Sequence, residues 1–314
     1  MPLADITPEE IRECFPQLTE VEEVGSGGQR RVFRCATSEV PAFALKVQLI
    51  ESPLPAQSGV DALSEGPEEP EQDVIPEAIA RARRESAILA KCDIPQLAHP
   101  GPISLTELKI GTQRLLFSSE EWIDGHTLRS MISAKVQLSN VESLQLARDL
   151  TSAVEALDKM NILHRDIKPE NIMHRKDGGW VLIDLGLALE RGATSLSQPG
   201  AIPGTTPYFS PEQTDITRKH SIDSRSDMFA MGVVIYEAMS GIHPFANRFM
   251  TPVQIVTAIR NTEPRALDEL RPDCALGVRT IVTRLLKKRP HARFGNPNVL
   301  AAAITKALAA LEET

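Results

Sequence analysis

His164-Arg165-Asp166-Ile167-Lys168-Pro169-Glu170-Asn171 separates two stretches of different periodicity. Before it, residues 141–160 repeat apolar side chains at the spacing of an amphipathic helix. After it come two short β-rich runs, Ile172-Met173-His174 and Trp180-Val181-Leu182-Ile183, joined by the turn Asp177-Gly178-Gly179. Asp184-Leu185-Gly186 follows at once. The order predicts that neighbouring loops off one small hairpin deliver two acids and an amide: Asp166, Asn171 and Asp184. Such a set can ligate a hard cation and present a proton acceptor to a hydroxyl.

The chain has 314 residues, enough for one large domain or two lobes. Its formal charge of -8 is unevenly placed. Residues 51–76 hold seven acids and no Lys or Arg, so the remainder carries about -1, from -8 minus -7. That balance lacks the basic excess of a nucleic-acid binder and the basic patch of a membrane-surface protein. Cys14, Cys35, Cys92 and Cys274 are far apart with no Cys-x-x-Cys pair, which points to free thiols in a reducing compartment. Residues 1–5 have neither a basic start nor an apolar run, so no signal peptide is expected. The apolar run 228–239 is too short to span a bilayer and is interrupted by Glu237. These features predict a soluble, cytoplasmic protein with no nucleic-acid or membrane partner.

Thr7-Pro8-Glu9-Glu10 reads as a helix start, with Thr7 as cap and Glu10 closing a capping box. Strand-like runs follow at 18–24, 32–36 and 42–49, with Gly25-Ser26-Gly27-Gly28-Gln29-Arg30 between the first two. In such a turn, backbone N–H groups approach phosphate oxygens unobstructed, although most glycine clusters are only flexible turns. Lys46 stands among apolar neighbours on a half-buried strand and needs a counter-charge; Glu85, in the helical stretch 76–92, is the candidate. Between them, residues 51–76 are acidic and carry Pro53, Pro55, Pro67, Pro70 and Pro76. That composition buries too little apolar surface to offset its ordering entropy and predicts a disordered insertion, a candidate for docking. Strands are expected at 102–107 and 113–121, and helices at 128–132, 226–240, 251–261, 276–288 and 299–311.

The ordered set resembles the eukaryotic-type Ser/Thr protein kinases. His164-Arg165-Asp166 with Asn171 matches that family's His-Arg-Asp-x-x-x-x-Asn loop in full, and Asp184-Leu185-Gly186 its Asp-x-Gly. Residues 204–212 resemble its Ala-Pro-Glu segment, with Ser210 in place of Ala. Each piece alone says little; the series over residues 18–294 carries the resemblance. It implies an α+β, bilobal protein-kinase fold. An N-terminal helical extension would occupy 1–17. A small antiparallel-sheet N-lobe with one main helix would occupy 18–122, and a larger, mostly helical C-lobe 123–314.

The resemblance also implies ATP and Mg2+ as cofactors and proteins, the chain itself included, as substrates. Asp166 would orient the substrate hydroxyl, Lys168 would offset charge on the moving phosphoryl group, and Asn171 and Asp184 would ligate Mg2+. Gly25, Ser26, Gly27, Gly28 and Lys46, the last paired to Glu85, would hold the phosphates. Val32, Ala44 and Met173 would sandwich adenine, and the backbone of Glu121 and Trp122 would bond it. Arg165 would receive a phosphate carried by Thr194, Ser195 or Ser197. Glu212 would pair with Arg293, and Asp227 would bond the backbone of the Asp166 loop.

Two positions depart from the family pattern. Arg30 replaces its third glycine, and Glu120 stands where an apolar or hydroxyl residue usually guards the pocket. Together with the acidic insertion they motivate a pseudokinase scaffold as an alternative. The shared Asp, Asn, Asp logic motivates another, a small-molecule kinase like the aminoglycoside phosphotransferases. Against the scaffold, no core catalytic position is missing; against the small-molecule kinase, Lys168, Arg165 and Ser210-Pro211-Glu212 resemble the protein-directed branch. Residues 204–213 look more like the bacterial members, which often continue into a membrane helix and sensor domain. A free-standing soluble kinase or a fragment is therefore expected.

Overall fold

The computed structural model describes residues 6–27, 30–51, 77–190, 207–215 and 222–313. Gly28, residues 52–76, and Thr194, Ser195 and Ser197 lie outside the described residues. The chain forms two compact units, residues 1–91 with 99–122, and residues 92–98 with 123–314.

The first unit opens with α1 (Pro8–Cys14), closed by the capping box read from the sequence: Glu10 N–H donates to the Thr7 hydroxyl at 3.2 Å and Thr7 N–H to Glu10 Oε2 at 2.8 Å. Five strands follow, β1 (Leu18–Gly27), β2 (Arg30–Thr37), β3 (Phe43–Glu51), β4 (Thr106–Ile110) and β5 (Gln113–Glu121), with α2 (Glu77–Leu89) between β3 and β4. They pair antiparallel in the order β1-β2-β3-β5-β4. Strand alternation sends Phe33, Leu45, Val47, Leu115 and Phe117 to one face, where they share a core with Ile11 and Phe15. The opposite face carries Val32, Lys46 and Ser118 in one cross-strand row, with Ala44 and Glu120 paired beside it. Helix α2 packs on this face, Ile79 and Ala82 against Leu116.

The strand expected at 102–107 forms instead at Thr106–Ile110. Pro100 and Pro102 have no N–H to give a ladder. That stretch meets β5 through separate bonds, Gly101 N–H to Ser119 O and Ile103 N–H to Ser119 Oγ, both 2.8 Å.

The second unit is mostly helical: α3 (Leu128–Ser133), α4 (Asn140–Lys159), α5 (Ser224–Ser240), α6 (Pro252–Asn261), α7 (Leu267–Leu270), α8 (Leu276–Leu285) and α9 (Pro297–Glu312). Its strands are short: β6 (Gly125–Thr127), β7 (Ile162–Leu163), β8 (Ile172–Arg175), β9 (Trp180–Leu182) and β10 (Leu189–Glu190). In α5 every residue from Met228 to Met239 is buried, so the apolar run is a core helix, against which α4 and α8 pack. Among the described residues no helix is long and apolar enough to cross a membrane.

The hairpin β8–β9 pairs Ile172 with Leu182 and His174 with Trp180, and its turn places Gly178 at φ 101° and Gly179 at φ 87°, values that side chains with a Cβ rarely adopt. β6 joins β8, and a Cβ at Gly125 would sit 1.9 Å from the His174 carbonyl oxygen, which requires glycine there. Residues 92–98 belong to this unit, although the sequence boundary at 122 put them in the N-lobe. Ala98 N–H donates to Leu182 O at 3.2 Å and Leu182 N–H to Gln96 O at 2.9 Å.

Candidate active site

In the second unit the loop between β7 and β8 gathers three of the expected residues around one carboxylate. Lys168 Nζ donates to Asp166 Oδ2 at 2.6 Å, and Asn171 Nδ2 donates to the same oxygen at 3.0 Å and to Asp166 O at 2.9 Å. A carboxylate and a carbonyl oxygen only accept, so the Asn171 amide nitrogen must face them and its oxygen is turned the other way. Ile183 N–H donates to Asn171 O at 2.8 Å, which brings the next residue, Asp184, to the Asn171 end of the hairpin. Asp184 Oδ1 accepts from Gly186 N–H at 3.1 Å.

Two residues of this site hold a left-handed backbone without being glycine: Arg165 at φ 66° and Asp184 at φ 64°. Such conformations cost about 1–3 kcal/mol each and persist only where the surroundings impose them. Asp227, on the first turn of α5, supplies the constraint at Arg165. It accepts the His164 and Arg165 N–H groups, both at 2.9 Å. Burial pushes the Asp227 carboxyl pKa up, against these two bonds and the nearby His164. His164 is fully buried, burial holds its pKa below 6.5, and its Nδ1 accepts Asp166 N–H at 3.3 Å. It is a buried scaffold residue.

In the first unit Lys46, Glu85 and Glu120 are 7%, 4% and 6% exposed, so each charge requires a partner. Lys46 Nζ donates to Glu85 Oε1 at 3.1 Å and also to Glu120 Oε1. Arg30 Nη2 donates to the other Glu85 oxygen at 3.3 Å. Both departures from the family pattern thus bond the Lys46–Glu85 pair, which sequence reasoning missed. Glu120 was visible as an anomaly; its partner followed only from the β3–β5 register.

The remaining expected residues are placed as follows. Gly25, Ser26 and Gly27 lie on β1, paired with Val32, Arg31 and Arg30. Neither a left-handed φ nor a neighbour within 4 Å demands glycine at position 25. Space left there suits a ligand approaching the backbone. Val32 and Ala44 share the Lys46 face of the sheet. Glu121 bonds the His99 N–H and ring Nδ1, both at 3.1 Å, and the Arg34 guanidinium lies 5.8 Å over the Trp122 ring. Met173 packs in the second unit beside Ala98, Ile123 and Val181. Arg165 O accepts from Gln213 Nε2 at 3.3 Å.

A second charged cluster was not read from the sequence. Arg129 donates to Glu170 at 2.8 Å, to Glu237 at 3.0 Å and to the Tyr208 hydroxyl, and Tyr208 donates to Glu237 at 2.5 Å. Glu170 is therefore engaged by Arg129 within this cluster. His243 packs edge-on against Tyr208 at 5.0 Å, and its Nδ1 accepts Phe245 N–H at 3.0 Å.

Burial, with Arg129 adding to it, lowers the His243 pKa from 6.5 to about 3. Below pH 6.5 the unfolded chain takes up a proton that folded His243 refuses, so its contribution to stability is lost as pH falls towards 3. His243→Gln should remove about 1–2 kcal/mol of the stability lost between pH 7 and pH 5, read as the difference in urea unfolding from the parent. An unchanged pH slope would sink this assignment.

The chain belongs to the protein kinase domain family, whose sequence profile matches residues 18–304. It is 30% identical over 225 residues to the serine/threonine-protein kinase pkn3 of Myxococcus xanthus, covering 68% of this chain and 39% of that protein. It is 27% identical over 226 residues to a probable serine/threonine-protein kinase PknB of Lactococcus lactis, covering 72% and 32%. With PknB of Mycobacterium leprae it shares 28% over 220 residues, covering 70% and 34%. The chain thus spans about a third of the length of these curated relatives.

Proposed function

We propose that the protein is an Mg2+-dependent kinase that transfers the γ-phosphoryl group of ATP to Ser or Thr hydroxyls of proteins, itself included. The observation that carries this reading is the Asp166 carboxylate, steadied at Oδ2 by both Lys168 and Asn171. Neither donor engages Oδ1, which would accept or orient the proton of the attacking hydroxyl. Lys168, held beside that carboxylate, would turn its remaining N–H donors to the γ-phosphoryl oxygens. Asn171 Oδ1 and the Asp184 carboxylate are the hard oxygen donors that would hold Mg2+, a cation that takes few protein ligands and completes its shell with water and phosphate. When bound, the metal would neutralise charge on the phosphates. Lys46 and the Gly25 to Gly28 backbone would hold the phosphates, and Val32, Ala44 and Met173 would flank adenine. The backbone of Glu121 and Trp122 would bond the base.

Arg165 would bind a phosphate placed on Thr194, Ser195 or Ser197, and residues 51–76 would serve for docking. A cytoplasmic site of action suits four cysteines that are all free thiols. The test is incubation with radiolabelled ATP and Mg2+, then phosphosite mapping. Label on Ser or Thr of the chain or of an added protein, lost with EDTA, is the expected result. Label confined to a small metabolite would replace this reading with a small-molecule kinase, and nucleotide binding without any label would replace it with a scaffold.

A further inference from the structure

Lys46 has three N–H donors, and the carboxylates that accept two of them ride on different elements. Glu85 belongs to α2, which meets the sheet through Ile79 and Ala82 against Leu116. Glu120 belongs to β5, the strand hydrogen-bonded to β3, and lies opposite Ala44, two residues from Lys46 on the same face. The ladder therefore fixes Glu120 relative to Lys46, whereas Glu85 is fixed only as well as α2 is docked.

Two buried carboxylates beside one ammonium would leave an uncompensated negative charge, which is costly at this depth. Arg30, on the same face of β2, donates to the second Glu85 oxygen and adds a second positive charge beside the two carboxylates. A bland reading would make Glu120 a surface carboxylate and Arg30 a loop cation. At 6% exposure Glu120 is not on the surface, and Arg30 is half-buried with its guanidinium on Glu85.

We propose that Glu120 is a second, sheet-borne anchor for Lys46, a positioning residue that keeps the ammonium in place independently of α2, with Arg30 as its counter-charge. The proposal rests on the reading of Lys46 as a phosphate-binding group. With two anchors, loss of Glu85 leaves Lys46 tied to β5. With Glu120 also gone, the ammonium loses both of these carboxylate anchors.

The experiment is a double-mutant cycle of Glu85→Gln and Glu120→Gln in the full chain. Gln keeps the shape and an acceptor oxygen, and circular dichroism checks the fold. The effect of Glu85→Gln on the Kd for Mg–AMP-PNP and on the KM for ATP is measured in both backgrounds. In the parent it should be at most about fivefold, and in the Glu120→Gln background at least about fiftyfold, with the KM for a peptide substrate unmoved. Equal effects in the two backgrounds, or a Glu85→Gln loss as large as that of the double variant, would overturn the proposal. Urea unfolding of the four unliganded proteins separates this from failure of the kinase reading. If the parent binds no nucleotide but the two substitutions couple in stability, the shared anchor stands and only its use for phosphate is refuted. Additive stabilities would refute the anchor itself.

Discussion

Asp166→Asn is expected to slow phosphoryl transfer about a thousandfold, within the range for loss of a positioned general base, while the protein folds and melts as the parent does. The substitution keeps the shape of the side chain and one oxygen to accept from Lys168 or Asn171. It removes the negative charge that lets the group take or orient a hydroxyl proton. The loss should fall on kcat, because a group that takes or orients the hydroxyl proton acts in the transition state. Initial rates of peptide phosphorylation at saturating Mg–ATP measure it. Undiminished turnover would show that the proton goes elsewhere and that Lys168 and Asn171 steady Asp166 for some other reason.

From sequence alone, Lys46→Ala looks like an equivalent probe that spares the fold. The structure separates the two. Lys46 pairs with two carboxylates at 4% and 6% exposure, so its removal leaves buried charge behind. Activity lost in Lys46→Ala would mix a missing phosphate ligand with a loosened sheet face. Asp166→Asn avoids that ambiguity, because its neighbours Lys168 and Asn171 are left with an acceptor.

What the sequence revealed and what it hid differ in a physical way. The Asp166 loop and the β8–β9 hairpin are local: the residues lie within one short stretch, and glycines at left-handed φ mark the turn. The capping box at Thr7 is local too. The strand expected at 102–107 forms at Thr106–Ile110 because Pro102 at its expected start, like Pro100 before it, lacks the donor that a ladder needs. The Arg129 cluster left no local trace. Its partners lie 41, 79 and 108 residues away in the chain, and no pattern of spacing encodes that. The pairing of Glu212 with Arg293 is just as distant, yet the family resemblance supplied it.

That pairing sets the second large effect. Arg293→Ala is expected to destabilise the protein by about 3–5 kcal/mol, the cost of removing one member of a buried ion pair. Arg293 has five N–H donors, and all five are used. Nη1 reaches Glu212 Oε1 at 2.6 Å and Arg225 O at 2.8 Å; Nη2 reaches Glu212 Oε2 at 2.9 Å and Lys288 O at 3.1 Å; Nε reaches Lys287 O at 2.7 Å. The guanidinium also lies 4.8 Å over the Phe229 ring. Burial opposes the charge on Glu212, yet Arg293 and the Ser226 hydroxyl hold its carboxyl below the ordinary 4.5. Removing Arg293 reverses that balance and leaves three carbonyls and a carboxylate without their donors. Lys, with three donors on a flexible stem, cannot reproduce the fork, so Arg293→Lys should lose most of what Arg293→Ala loses. Glu212→Leu combined with Arg293→Met should lose less than Arg293→Ala, because the double change leaves no unpaired charge behind. Urea unfolding followed by circular dichroism tests the series. A loss below about 1 kcal/mol in Arg293→Ala would mean that water enters to solvate Glu212 and that the pair is not sealed.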